Sequence, residues 1–150
     1  MPGAWTQLFY HIVFSTKNRE PQISPDLEKR LYPFIGGVVR DLRASLVAIN
    51  GTADHAHLLV HGRADSAIAD LVRHVKSRSS KWVHEEFPAC GAFGWQEGYG
   101  AFTVSRSRVD DVERYIAAQK THHQRVDFKT EFLALLRKHG LETDEAAIFS

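Results

Sequence analysis

Cysteine is nearly absent from these 150 residues, with Cys90 standing alone. That excludes an intrachain disulfide and every zinc framework that needs several thiolates. No apolar run approaches the roughly 20 residues that a bilayer span requires. The N-terminus lacks a basic start followed by an apolar core, so a soluble, cytoplasmic chain is expected. Excess positive charge is missing too: the net charge is +1 with nine histidines counted as neutral. A strongly basic nucleic-acid binder carries more, so any DNA contact must come from a local patch. Repeats, low-complexity segments, dividing linkers and a phosphate-cradling G-x-x-x-x-G-K loop are all lacking. The expectation is one domain over 1–150.

What is present is an ordered series of patterned segments. Residues 5–14 are rich in aromatic and β-branched side chains and predict a strand buried on both faces. A loop over 15–24 follows. Ser24 then offers an N-cap, Pro25 fits the first helical position, and Asp26 and Glu28 suit the positive helix end. Leu27, Leu31, Phe34, Ile35, Val38 and Leu42 continue at helical spacing. Leu46 to Ile49 and His55 to His61 read as two strands of a hairpin, with Asn50 and Gly51 as the turn signal. Ile68, Leu71, Val72, Val75, Trp82 and Val83 mark a second long helix, capped near Asp65 or Ser66 and ending before Pro88. Residues 88–100 hold four glycines and read as a loop, with room for a short strand at Phe93 to Trp95. Ala101 to Val104 is a strand. Ser107 and Asp110 look like a capping box opening a helix that reaches His123. Phe128, Phe132, Leu135 and Leu136 mark a last helix. The order is that of a split βαβ, ferredoxin-like α+β fold with an antiparallel sheet, extended by C-terminal helices. Such a fold hosts many chemistries and selects none.

The segment from Asp54 to His61 carries the first chemical signal. Alternation puts His55, His57, Leu59 and His61 on one face and the apolar Ala56, Leu58 and Val60 on the other. Two imidazoles roughly 7 Å apart along a rigid strand can converge on a divalent cation, although a solvated sheet face carries histidines as readily. The helix over 109–123 carries the second signal. Tyr115 and Gln119 are one turn apart on one face, and Gln119 falls beside the stripe of Val109, Val112 and Ile116. A buried amide there needs a partner, and a metal would satisfy its carbonyl. A tyrosine at the edge of such a stripe can equally be packing. His122 and His123 follow directly, and as ligands, phosphate contacts or exposed residues they are not ranked by sequence.

At these residues the chain resembles a known family, the single-tyrosine His-hydrophobic-His transposases of the smallest bacterial insertion sequences. These are the type-two-hundred group and its relatives associated with repetitive extragenic palindromes (REPs). The matching pieces are His-Ile-Val-Phe-Ser-Thr-Lys at 11–17, Asp-His-Ala-His-Leu-Leu-Val at 54–60 and Val-Lys-Ser-Arg-Ser-Ser-Lys-Trp at 75–82. Further on come Trp-Gln-Glu-Gly-Tyr-Gly-Ala-Phe-Thr-Val-Ser at 95–105 and Arg-Tyr-Ile-Ala-Ala-Gln-Lys-Thr-His-His at 114–123. The resemblance implies that His55, His57 and Gln119 hold Mg2+ or Mn2+ and that Tyr115 is the nucleophile. It also implies cleavage and rejoining of single-stranded DNA at hairpin ends through a 5′-phosphotyrosine, without ATP, by a homodimer.

Lys17, Arg19, Arg73, Lys76, Arg78 and Lys81 are candidates to track a DNA backbone; a solvated helix face is the plainer account of any one of them. Trp95 and Tyr99 could stack on bases or pack, and Phe102 is assigned to the core. Three other readings compete. A relaxase would share the chemistry but usually carries extra domains. A domesticated nuclease would process host palindromes without mobilising anything. A ferredoxin-like RNA-binding module would place aromatics, not histidines, on its central strand.

Overall fold

In the computed structural model, which describes residues 3–141 and 145, four strands form one antiparallel sheet in the order β2-β3-β1-β4. The strands are β1 (Phe9–Ser15), β2 (Ser45–Gly51), β3 (His55–His61) and β4 (Gly100–Val104). Helix α1 (Pro25–Asp41) links β1 to β2, and α2 (Ile68–Glu86) links β3 to β4. This is the predicted split βαβ topology. These elements are followed by α3 (Val109–Ala117), α4 (Gln119–His122) and α5 (Phe128–Lys138).

The apolar side of β3 behaves as its alternation requires. Ala56, Leu58 and Val60 join Ile12 and Phe14 of β1 in the main core. Leu27, Leu31, Ile35 and Val38 of α1 and Leu71, Val72 and Val75 of α2 cover them. Burying each large aliphatic chain contributes roughly 1.5–3 kcal/mol, so this layer accounts for much of the stability. The start of α1 is also as predicted: Ser24 Oγ accepts from the Leu27 amide at 3.1 Å, and Pro25 opens the helix.

Several boundaries differ from expectation. β1 begins at Phe9, because its neighbour β3 ends opposite, at His61; Trp5 is 90% exposed. Asn50 and Gly51 are not the turn of the hairpin. They end β2, paired with His57 and Ala56, and the chain reverses at residues 52–54. Gly51 is needed for close approach, since a Cβ there would meet the His55 carbonyl oxygen at 2.1 Å. Helix α2 starts beyond Asp65 and Ser66, with Ala67 at its uncapped N-terminus. Ser107 does not form a capping box: it sits in a 3-10 turn (Arg106–Arg108) facing Ser105, and α3 starts without a side-chain cap. The helix expected over 109–123 breaks at Ala118 into α3 and α4. Trp95 forms only an isolated bridge with Thr16. It packs on Phe14 and Phe93 and donates to Ser79 Oγ at 2.9 Å. Phe102 is core, as expected, and Tyr99 is exposed.

Candidate active site

The second face of the sheet is covered by the C-terminal helices. α3 packs Val109 and Ile116 on Leu59 and Val104. α5 packs Phe128 and Leu136 on Val13 and Phe102. Between these two apolar clusters lies a buried polar one. His55, His57 and Gln119 are all 0% exposed, and Glu131 is 3% exposed, so the solvated sheet face is not what forms. His61, at the other end of β3, stacks on Phe9 with ring centroids 4.6 Å apart and stays outside the cluster.

The hairpin orients His55. Its Nδ1 meets Asp54 Oδ1 at 2.7 Å and Thr52 Oγ1 at 3.0 Å. Burial alone would raise the Asp54 carboxyl, but the hydrogen bond and charge of His55 hold it below the ordinary range. A carboxylate that fixes Nδ1–H turns Nε2 towards the site, as partners behind metal-bound histidines do. That Nε2 lies 3.0 Å from Gln119 Oε1 and 3.5 Å from Glu131 Oε1.

His57 is held from both sides. Its Nδ1 lies 2.8 Å from His11 Nε2 and its Nε2 lies 3.0 Å from Glu131 Oε1. His11 is diagonal to His57 on the sheet, since His11 pairs with Leu59 and Val13 pairs with His57. Burial, reinforced by the neighbouring His57, pushes the His11 ring down to about 3. It pushes His57 down as well, against the pull of Glu131. Both His57 ring nitrogens are thus engaged, Nδ1 by His11 and Nε2 by the Glu131 carboxylate. His123 Nε2 reaches Glu131 Oε1 at 2.8 Å, and burial lowers its ring too. One ligand atom from each of His55, His57, His123 and Glu131 lies within 4.8 Å of the others. Buried imidazoles around a carboxylate, with an amide carbonyl beside them, are a donor set that fits a divalent cation.

Tyr115, half-buried on α3, stands beside these rings. Its ring centroid is 5.8 Å from that of His57 and 6.0 Å from that of His11. Its hydroxyl donates to Glu131 Oε2, and Gln119 Nε2 donates to the same oxygen at 2.8 Å. Burial, with the Glu131 carboxylate next to it, holds the phenol well above its ordinary value. For Glu131 burial would act upward, but the hydrogen bond and charge of His57, then Tyr115 and Gln119, keep it ionised. The end of the tyrosine helix is fixed by β2: Asn50 Nδ2 donates to the Ile116 and Ala117 carbonyls at 3.0 and 3.2 Å, groups that a helix end leaves unpaired. Lys120 Nζ then bridges Asn50 Oδ1 at 2.7 Å and Glu28 Oε1 at 2.9 Å.

The structure thus brings together His55, His57, Tyr115 and Gln119, four residues named from the sequence, within one chain. It adds His11 and Glu131, and it draws in His123, which the sequence named without ranking. The candidate DNA-tracking residues divide. Lys17 and Arg19 lie in a turn after β1, at the His55 end of the sheet, where the Thr16 amide donates to the Asp54 carbonyl at 2.8 Å. Arg73, Lys76, Arg78 and Lys81 are on α2, across the sheet from the histidines. Arg73, Arg78 and Lys81 are near Asp70, Asp41 and Glu85 at 3.4, 3.0 and 3.9 Å. Lys76 donates to the Gln96 and Gly98 carbonyls at 2.7 and 2.5 Å, and burial lowers its amine to about 8. It fastens the glycine-containing loop.

Buried imidazoles, an amide and a carboxylate beside a tyrosine form a candidate catalytic centre. Residues 4–119 match the family described as transposase, IS200-like, and the chain belongs to that family. The ISDra2 transposase TnpA of Deinococcus radiodurans is 24% identical over 118 residues, which cover 75% of this chain and 84% of that protein. A crystal structure from Deinococcus radiodurans R1 described as a transposase superposes with a TM-score of 0.65. It is 25% identical and covers 79% of this chain and 95% of its own. A REP-associated tyrosine transposase bound to a REP hairpin shares the fold, with a TM-score of 0.61 and 18% identity over 84% of this chain and 74% of its own. Among the described residues no helix is long and apolar enough to cross a membrane. The family match includes His55, His57, Tyr115 and Gln119 and ends before His123 and Glu131.

Proposed function

We propose that this transposase cleaves and rejoins single-stranded DNA at hairpin-bearing ends, with Tyr115 as nucleophile. The observation that carries the reading is the convergence of the Tyr115 hydroxyl and the buried His55, His57 and Gln119 side chains on one point of one chain. Tyr115 Oη attacks the phosphorus, the bond from phosphorus to the 3′-oxygen breaks, and a 5′-phosphotyrosine and a free 3′-hydroxyl result. The phenol's proton ends on the departing 3′-oxygen. Reversal by a different 3′-hydroxyl rejoins the strand with no ATP, because the phosphotyrosine retains the energy of the broken linkage.

Mg2+ or Mn2+ held by His55, His57 and Gln119 would supply charge neutralisation at the phosphate and at the departing oxygen. Asp54 holds His55 in the ligating orientation, and His11 does the same for His57. Lys17 and Arg19, in the turn beside Asp54, would meet the DNA backbone near the site, ahead of Arg73, Lys76, Arg78 and Lys81. The hairpin substrate is supported by the REP-associated relative, which is bound to a hairpin. A homodimer belongs to the same reading, with each chain supplying a histidine pair and its own tyrosine.

The test is incubation with hairpin-bearing single-stranded DNA, with and without Mg2+ or Mn2+, followed by denaturing electrophoresis. A protein–DNA adduct that requires metal and disappears in Tyr115→Phe is expected. A folded, metal-binding protein that forms no adduct with DNA from its own element's ends would overturn the catalytic reading and favour a binding role.

A further inference from the structure

α5 lies wholly outside the family-matched segment, yet it places a carboxylate at the centre of the site. The spacing of Phe128, Glu131, Phe132, Leu135 and Leu136 puts Glu131 in the stripe that faces the sheet. Phe128 and Leu136 are buried there, and Phe132 packs against them. An ionised carboxylate costs several kcal/mol to bury unless it is compensated, so its partners are informative. They divide by oxygen. Oε1 faces imidazoles: His123 at 2.8 Å, His57 at 3.0 Å and His55 at 3.5 Å. Oε2 faces the nucleophile and the amide: it accepts from Tyr115 and, at 2.8 Å, from Gln119, with His122 Nε2 further off at 3.6 Å.

We propose that Glu131 is a ligand of the divalent cation through Oε1 and a positioning group for Tyr115 through Oε2, so that α5 is a working part of the site. The inference rests on the metal-binding reading above and extends it by one residue and one helix. A single carboxylate then sets the distance between cation and nucleophile. A carboxylate oxygen among imidazoles also moves the donor set away from Zn2+ and Ni2+ and towards Mn2+ and Mg2+. Cation binding and the docking of α5 become one event: the ion holds Glu131, and Glu131 holds the helix that Asp127 caps through the Thr130 amide at 2.9 Å.

The experiment is Mn2+ titration of the full chain by calorimetry, with hydrogen exchange of residues 128–138 measured with and without Mn2+. Wild type, Glu131→Gln, Glu131→Asp, His57→Ala and Tyr115→Phe are compared. Glu131→Gln is expected to weaken Mn2+ binding about ten- to a hundredfold and to abolish the slowing of α5 exchange that Mn2+ brings to wild type. Glu131→Asp, which keeps the charge, should recover part of both, and Tyr115→Phe should change Mn2+ affinity far less than Glu131→Gln. If Glu131→Gln binds Mn2+ like wild type while His57→Ala does not, Glu131 is no ligand and the histidine site stands without it. If wild type itself binds no Mn2+, the metal reading falls and takes this inference with it.

Discussion

The two faces of the sheet are built from alternate residues of the same strands, and they do opposite things. Ala56, Leu58 and Val60 meet α1 and α2 through one continuous apolar layer. His55, His57 and Leu59 meet the C-terminal helices through two apolar clusters separated by a polar one. The first face gains from every group it buries. The second desolvates three histidines, an amide and a carboxylate, and recovers that cost only through mutual hydrogen bonds. One strand thus carries stability on one side and reactivity on the other, at a spacing of a single residue.

Adjacent substitutions should separate these roles. His57→Ala is expected to lower DNA cleavage by about a hundred- to a thousandfold or more. It should cost only about 1–3 kcal/mol of stability, from the partners it leaves short. Leu58→Ala should do the reverse: about 2–5 kcal/mol lost, seen as a melting point roughly 4–20 °C lower, with Mn2+ affinity of the folded protein unchanged. Loss of metal affinity in a folded Leu58→Ala protein would break the comparison.

Gly51→Ala sharpens it, because that position serves both faces. The Cβ meets backbone, so the hairpin must shift. About 1–3 kcal/mol of stability and part of the Mn2+ affinity should go together. Asp127→Ala removes the cap of α5 and should cost about 0.5–2 kcal/mol, visible as faster exchange in α5 with the β1 and β3 amides unaffected. The smallest effect is expected from Arg78→Ala, whose exposed pair with Asp41 is worth less than about 1 kcal/mol. Single-stranded DNA affinity should fall more for Lys17→Ala than for Arg78→Ala, since Arg78 lies across the sheet from the site.

Much of this division was legible in the sequence, because strand alternation and helical spacing are local. The Ser24–Pro25 helix start, the apolar side of β3 and the pairing of Tyr115 with Gln119 all follow from near neighbours. What was missed depends on distant ones. His11 becomes a site residue only through the antiparallel register of β1 with β3. Ser107 fails as a cap because the chain first makes a 3-10 turn. The Asn50–Gly51 signal was displaced because the strands pair two residues further than turn chemistry indicates. For Glu131 a signal did exist: an acidic residue inside the apolar stripe of α5 is a local conflict, and such conflicts collect at functional sites.

The Asn50 clasp has a consequence for how such sequences can drift. It joins the last residues of β2 to the end of the tyrosine helix, and Lys120 closes the same junction. Positions 50 and 120 are therefore not independent. Across an alignment of relatives they should change together or not at all. A lineage that alters one alone would have to find another way to keep its nucleophile in register with its histidines.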